Sequence, residues 1–332
     1  MGLLDEGQEE VLAAAAGSPT ADWRDKVKWL EGRGYLQTER ACAEAAHRVD
    51  GRDRLEWLQQ RGYPLTSHVA YWAALLGNAD ALAFLLAQGV PLNGELAGTA
   101  TYFAAREGHL AALKVLHAHG AGINHELVAA AAGGGHLPVV AWGVQELGAA
   151  DTLTARVFRS ATESGNAELV SWLHQQACPW DASVFAAAAG SGSEEQLEWL
   201  VEHGCPMGDD GQPYTMALAN ADVTVLRCLR RLGCPWGPVG RTSTYAVETC
   251  GSTAAGLSAP VRRKQHLRVL TWLVEQGCPV NWAKAEWEAE KGKISEVVEW
   301  VRQLRPLSAW ERGDRLRPAK QDGGSTGAGA RR

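Results

Sequence analysis

WLVEHGCPM (199–207) runs from a Trp-Leu pair to Gly-Cys-Pro, and worn copies of it recur along the chain. WLEGRGY starts at Trp29, WLQQRGYPL at Trp57, FLLAQGVPL at Phe84 and VLHAHGAGI at Val115. WLHQQACPW starts at Trp172, CLRRLGCPW at Cys228, WLVEQGCPV at Trp272 and WVRQLRP at Trp300, while WGVQELG from Trp142 carries one extra residue before its Gly. Successive starts are 28, 27, 31, 27, 30, 27, 29, 44 and 28 residues apart. A period of this size marks stacked supersecondary units that bury their faces on one another. A second marker is locked to the first. Eleven residues before the phrase stands Ala in eight of ten copies: Ala46, Ala73, Ala104, Ala131, Ala161, Ala188, Ala217 and Ala289. Seven residues before it Gly is common (Gly77, Gly108, Gly135, Gly165, Gly192), followed by Asn78, His109, His136, Asn166 or Ser193.

Each unit therefore reads as helix, tight turn, helix. The first helix is short and Ala-rich, as in TATYFAARE (99–107) or ASVFAAAAG (182–190). Ala loses no side-chain entropy in a helix and lets neighbouring helices come close. Gly with Asn or His suits the turn, because Gly and Asn tolerate positive φ. The second helix is amphipathic: in HLAALKVLHAHG (109–120), Leu110, Leu113, Val115 and Leu116 share a stripe that excludes Lys114 and His117. The closing Gly stands where a C-cap Gly belongs, and the Pro that often follows stops further helix.

AAREGHL (104–110), AAGGGHL (131–137) and AALLGNA (73–79), with VLHAHGAGI and WLVEHGCP after them, resemble the middle of the ankyrin repeat. The resemblance covers about 5–304. It departs in two ways: no unit has the Thr-Pro-Leu-His start, and the units run 27–31 residues against the usual ~33. Too few residues separate each closing Gly from the next helix for long β-hairpin fingers, so short turns are expected. The expected fold is all-α, an ankyrin-like α-solenoid of about ten helix-turn-helix units, with another helix-pair α-solenoid as the alternative. The units fall near 5–34, 35–62, 63–89, 90–120, 121–148, 149–177, 178–204, 205–233, 234–277 and 278–304, the whole solenoid spanning 5–311. The ninth holds the 44-residue gap: a first helix is expected over 241–250, a second from near 263, and an inserted loop at 251–262. Residues 312–332 are Gly-rich and aperiodic, and read as a disordered basic tail.

Composition limits the function. Formal charge is -6, yet 312–332 hold six Arg or Lys against two Asp, leaving -10 for 1–311. An acidic body argues against nucleic acid, which needs a basic face. No apolar run is long enough to span a membrane, and the acidic start MGLLDEGQEE is no secretory signal. Seven cysteines without a CxxC suit reduced thiols, so an intracellular protein, cytoplasmic or nuclear, is expected.

Motifs for catalysis are missing: GGGHL (133–137) lacks the Gly-Lys-Ser/Thr of a phosphate loop, and GxSxG, HExxH and kinase signatures do not occur. Cys178, Cys205, Cys234 and Cys278 share one position in successive units; at ~8–10 Å helix spacing they suit neither one zinc ion nor a disulfide, and are expected as buried structural thiols. His117 and His119, with His125 near, point to different sides of a helix, so no metal and no cofactor is expected. Seven phrase-start tryptophans (Trp29, Trp57, Trp142, Trp172, Trp199, Trp272, Trp300) are expected to pack between units. Trp180 and Trp236, in turns, and Tyr71, Trp72 and Tyr102, on first helices, are candidate partner-binding anchors. Arg262 and Arg263, with Lys264 and Arg268, make the inserted loop locally basic. The resemblance, together with the missing catalytic constellations, implies a non-catalytic module that binds another protein, and a monomer is expected. Two other readings stay open: the substrate-recruiting part of a ubiquitin-ligase-type assembly, and an enzyme with a site on the concave face.

Overall fold

Most of the phrases end their helices in the same way. The closing glycines take left-handed backbone, with φ of 83° at Gly34, 91° at Gly62, 81° at Gly204 and 78° at Gly233. The next residue turns back and donates its N–H to the Leu carbonyl five residues earlier: Tyr63 to Leu58 at 3.1 Å, Cys205 to Leu200 at 2.9 Å, Cys234 to Leu229 at 2.9 Å. This is the Schellman arrangement, which satisfies a helix-end carbonyl and folds an apolar side chain under the last turn. Tyr63, Cys178, Cys205, Cys234 and Cys278 are accordingly buried. The thiol of Cys178 lies 3.5 Å from the Thr154 carbonyl, and that of Cys205 lies 3.8 Å from the Asp181 carbonyl. Each thus ties the end of a second helix to the start of its own partner helix.

A computed structural model describes residues 2–92, 94–220, 222–250, 259–292 and 295–305, without the side chains of 2–6, 250 and 259–266. The expected 312–332 tail and positions 251–258 of the expected loop lie outside the described residues. Among those described, helices form ten pairs, the first seven joined by short turns, and there is no strand. The fold is an all-α array of helix pairs. By internal contacts the chain divides into two compact units, 1–235 and 236–332.

In the first unit the pairs are α1 (Gly2–Ala16) with α2 (Trp23–Glu31), α3 (Glu39–Ala46) with α4 (Gly51–Gln60), α5 (Ser67–Leu75) with α6 (Ala79–Ala87), and α7 (Gly94–Arg106) with α8 (Leu110–Ala118). Then come α9 (His125–Gly133) with α10 (Leu137–Leu147), a short α11 (Ala149–Thr152), α12 (Ala155–Glu163) with α13 (Ala167–Gln175), α14 (Ala182–Ser191) with α15 (Glu194–Glu202), and α16 (Gln212–Ala219) with α17 (Val223–Arg231). First helices pack on first helices in an unbroken row α1-α3-α5-α7-α9-α12-α14-α16, more densely than second helices pack on one another. The repeated Ala explains the density: all eight are fully buried where neighbouring helices meet, a place with room for a methyl group only.

The same Ala has a second task in the turn. Asn78, His109 and His136 donate their N–H groups to the carbonyls of Ala73, Ala104 and Ala131 at 2.9, 2.8 and 2.9 Å, across Gly77, Gly108 and Gly135 in left-handed backbone. Asn78 then reaches into the preceding pair, donating from Nδ2 to the carbonyls of Ala46 at 3.0 Å and Arg48 at 2.7 Å, while its Oδ1 caps α6. Asn166 repeats this towards the Gly135 carbonyl at 2.8 Å. Where His replaces Asn, the ring packs instead on the preceding turn, so closely that a Cβ on Gly77 would meet the His109 ring at 2.4 Å. At the first two pairs the link is Arg54, which is buried. It donates to the carbonyls of Ala16 at 2.6 Å and Ser18 at 2.9 Å and pairs with Asp50 at 2.7 Å. Its guanidinium lies 4.6 Å from the ring of the buried Trp23.

The second unit holds α18 (Arg241–Cys250) with α19 (Ala259–Glu275), and α20 (Trp282–Lys291) with α21 (Ser295–Leu304). Helix α19 begins four residues before the start expected near 263. Pro260 falls in its first turn, where a missing N–H costs no intrahelical bond. The two pairs are joined by Gly240 donating to the Pro279 carbonyl at 3.0 Å and by Trp300 Nε1 donating to Thr271 at 3.0 Å.

Ala177 occupies the closing-glycine position of WLHQQACPW, at φ 53°. Left-handed backbone costs a non-Gly residue about 1–2 kcal/mol, against about 0.4–1 kcal/mol for the extra unfolded-state freedom of Gly. Ala177→Gly should therefore stabilise the fold by about 0.5–1 kcal/mol, read as a higher urea midpoint. Gly204→Ala, the same change reversed one unit later, should lower it. Arg54→Met keeps the bulk but strands two buried carbonyls, and should cost about 2–4 kcal/mol in the same assay; a loss within error would show that the clamp contributes nothing.

Candidate functional site

On a scaffold whose buried positions are so constrained, recognition falls to large side chains left at the surface. Three first-helix aromatic side chains qualify: Trp72 on α5 and Tyr102 on α7, 39% and 42% exposed, and in the second unit Trp287 on α20, 56% exposed with the Lys291 ammonium 4.8 Å from its ring. Tyr71 and Tyr102 both stand thirteen residues before their phrase, and Trp72 one residue further on. Helix α5 packs between α3 and α7, so these residues lie on neighbouring helices. The half-buried Tyr71 meets Trp72 edge-on at 5.6 Å, His47 at the C-terminal cap of α3 lies 6.0 Å from Trp72, and Tyr102 meets Phe103 edge-on at 5.4 Å. One unit further along, the same position is Ala129, which is buried.

A second aromatic group lies at the ends of α13 and α15. Trp180, half-buried in the turn after α13, contacts the buried Phe158 at 5.1 Å and His174 at 4.9 Å. Trp199 of α15 meets His174 edge-on at 5.4 Å and Trp180 at 6.3 Å. The exposed His203 stacks on Trp199 at 4.1 Å and 23°, its Nδ1 2.8 Å from the Trp199 carbonyl. Sequence reading picked out Trp180 and overlooked His174 and His203. The signal for His203 was present: it stands four residues after Trp199, one helical turn along the same face.

Trp199 belongs to a correction. The phrase-start tryptophans were expected in the packing between units, but only Trp142 is buried. Trp29 is 57% exposed, and Trp57, Trp172, Trp199, Trp272 and Trp300 are half-buried. The residue that follows, Leu after five of them and Val301 after Trp300, takes the core position, which turns the Trp towards the edge of the stripe. In the second unit, Trp236 is half-buried, edge-on to Trp272 at 6.4 Å, with its carbonyl accepting from Thr242 at 2.8 Å. Arg262 and Arg263 fall on the α19 backbone; their side chains lie outside the described residues.

A shallow groove of about 540 Å³ between α1 and α2 is lined by Val11, Ala14, Asp22, Asp25, Trp29 and Leu30, with Arg33 over the Trp29 ring at 3.8 Å. His117 and His119 each face a backbone carbonyl within one turn, at 3.3 and 2.9 Å. Among the described residues no three His, Cys, Asp or Glu side chains come together as a metal site would require, and no helix is long and apolar enough to cross a membrane.

The chain matches no family model and no curated protein. Among solved structures, the crystal structure of the human ASB11 ankyrin repeat domain is similar over 51% of this chain and 86% of that one, at 19% identity and a TM-score of 0.43. A likeness that loose adds no weight; the repeat stands on its own helix pairs.

Burial pushes the thiols of Cys42, Cys178, Cys205 and Cys234 up to about 12. At about pH 8 roughly one in ten thousand of each is then thiolate, the reactive form. In the native protein these four should stay unlabelled by iodoacetamide in peptide-mapped mass spectrometry and label readily once the chain is unfolded. Fast native labelling of any of them would contradict the packing described for it.

Proposed function

We propose that the chain is a protein-binding module, a scaffold or adaptor of ankyrin type that acts by binding another protein and not by catalysis. The observation that carries this reading is the pair of exposed side chains on neighbouring first helices, Trp72 and Tyr102, with Tyr71 beside them. Large aromatics bury much area at little entropic cost, and a few such anchors dominate most interfaces. The helices beneath them are held by buried Ala contacts and by Asn78 and His109 in their turns, so little ordering entropy is lost on binding. Trp180, Trp236, Arg262 and Arg263 are further anchors in this proposal, on other parts of the array. The protein acts as a single copy.

The test is affinity capture from native lysate with the full chain as bait, beside a Trp72→Ala/Tyr102→Ala bait. A hot-spot truncation costs about 2 kcal/mol or more, so the double variant should lose captured partners by tenfold or more while keeping its helical signal. Capture of the same set by both baits would move the site off this face, and no specific capture by either would sink the module reading.

A further inference from the structure

Charge is distributed very unevenly. Residues 160–226 contain ten Asp or Glu and not one Lys or Arg, while the rest of the chain is positive: -6 overall less -10 here leaves +4. This stretch is also the one that carries the His174, Trp180, Trp199 and His203 rings. Around them, Glu195 and Glu202 sit four residues before and three residues after Trp199, on its face of α15. Both are exposed, as are Glu168, Asp181 and Asp209. Glu195 and Glu202 have no ion-pair partner among the described residues, whereas Glu194 and Glu198, on the flank towards α17, are both held by Arg231.

Two other units cover a Trp at that position with a cation, whereas Trp142 donates to Glu146 at 3.0 Å and Trp172 and Trp272 are followed by Gln176 and Gln276. Four residues after Trp29 comes Arg33, its guanidinium 3.8 Å from the ring; four after Trp57 comes Arg61, 4.9 Å from the ring. In both, the chain covers an indole face with its own cation. At Trp199 the corresponding residue is His203, and no Lys or Arg lies within 27 residues on either side (the nearest are Arg159 and Arg227).

We propose that the His174–Trp180–Trp199–His203 cluster and the acidic surface around it dock an arginine-rich segment of another polypeptide, a guanidinium lying against the indoles. The proposal rests on the reading of the chain as a protein-binding module and names the chemistry of one partner. Arginine suits the surface better than lysine, because its planar, weakly hydrated head stacks on aromatic faces while still pairing with carboxylates. Phosphate-bearing polymers and anionic membranes are repelled by the same charge.

The experiment is a calorimetric titration of the full chain, at about 0.15 M salt, with synthetic peptides of about twelve residues in which Arg, Lys or Asp alternates with Gly and Ser. The Arg peptide should bind, several-fold more tightly than the Lys peptide, and the Asp peptide not at all. Trp180→Ala/Trp199→Ala should weaken the Arg peptide about tenfold or more. Those rings are half-buried, so Glu195→Lys/Glu202→Lys, at exposed positions, serves as a second variant and should weaken it similarly. Trp72→Ala/Tyr102→Ala should leave it unchanged. Three results overturn the proposal. One is no binding of the Arg peptide. A second is equal binding of Arg and Lys peptides with no effect of the Trp changes, which is diffuse ionic attraction. The third is a tenfold gain in affinity on changing Arg312, Arg315 and Arg317 to Gln, which would make the chain's own basic end the occupant. If the Arg peptide fails while the unaltered chain still captures specific partners, this inference falls and the module reading survives.

Discussion

The left-handed residue that closes most second helices, Gly everywhere but at Ala177, is the constraint on which the rest depends. It reverses the chain in one residue, so the next side chain is driven under the helix just completed. That side chain must be small or flat and apolar, which is why Cys, Tyr and Val occupy the place, and the carbonyl it satisfies belongs to the Leu after the phrase start. One conformational requirement thus determines three residue types within six positions. It also keeps the unit short: six residues, 61–66, carry the chain from α4 to α5, too few for a projecting hairpin.

Coupling between units is built from the same economy. In four units the turn offers its Asn or His to the turn before it, and the buried Ala beneath lets first helices approach closely. These are nearest-neighbour terms, so stability accumulates unit by unit. A defect stays local, as at Ala177, the one non-Gly residue with positive φ among the described residues: its neighbours carry their own glycines and keep their own geometry.

This explains what could be read from sequence and what could not. Turn glycines, buried thiols and the packed Ala were legible because each answers to backbone geometry within its own unit. The exposure of the tryptophans was not. Periodicity places Trp29, Trp57, Trp142 and Trp199 on one edge of the stripe, but how much of each is covered depends on which side chain lies against it: Arg61 over Trp57 and His203 on Trp199 from the same helix end, and His117 beside Trp142 from the neighbouring unit. Similarly, Tyr102 and Ala129 hold equivalent positions, and one is exposed while the other is buried. The start of α19 was missed because the repeat spacing carried no information across its longest gap.

Two kinds of position remain free once the backbone has taken its share. Thirteen residues before the phrase the chain carries Glu44, Tyr71, Tyr102, Ala129, Arg159, Ala186 and Thr215 in successive units; four residues after the phrase start it carries Arg33, Arg61, Gln88, His119, Glu146, Gln176 and His203. No shared chemistry runs through either series, in contrast to the Ala, Gly and Leu positions between them. Variation of that kind, on a framework that tolerates so little elsewhere, makes each unit's surface independent of its fold. An array can then hold an aromatic face on α5 and α7 and an acidic, ring-lined face on α13 and α15 without either compromising the packing that supports it.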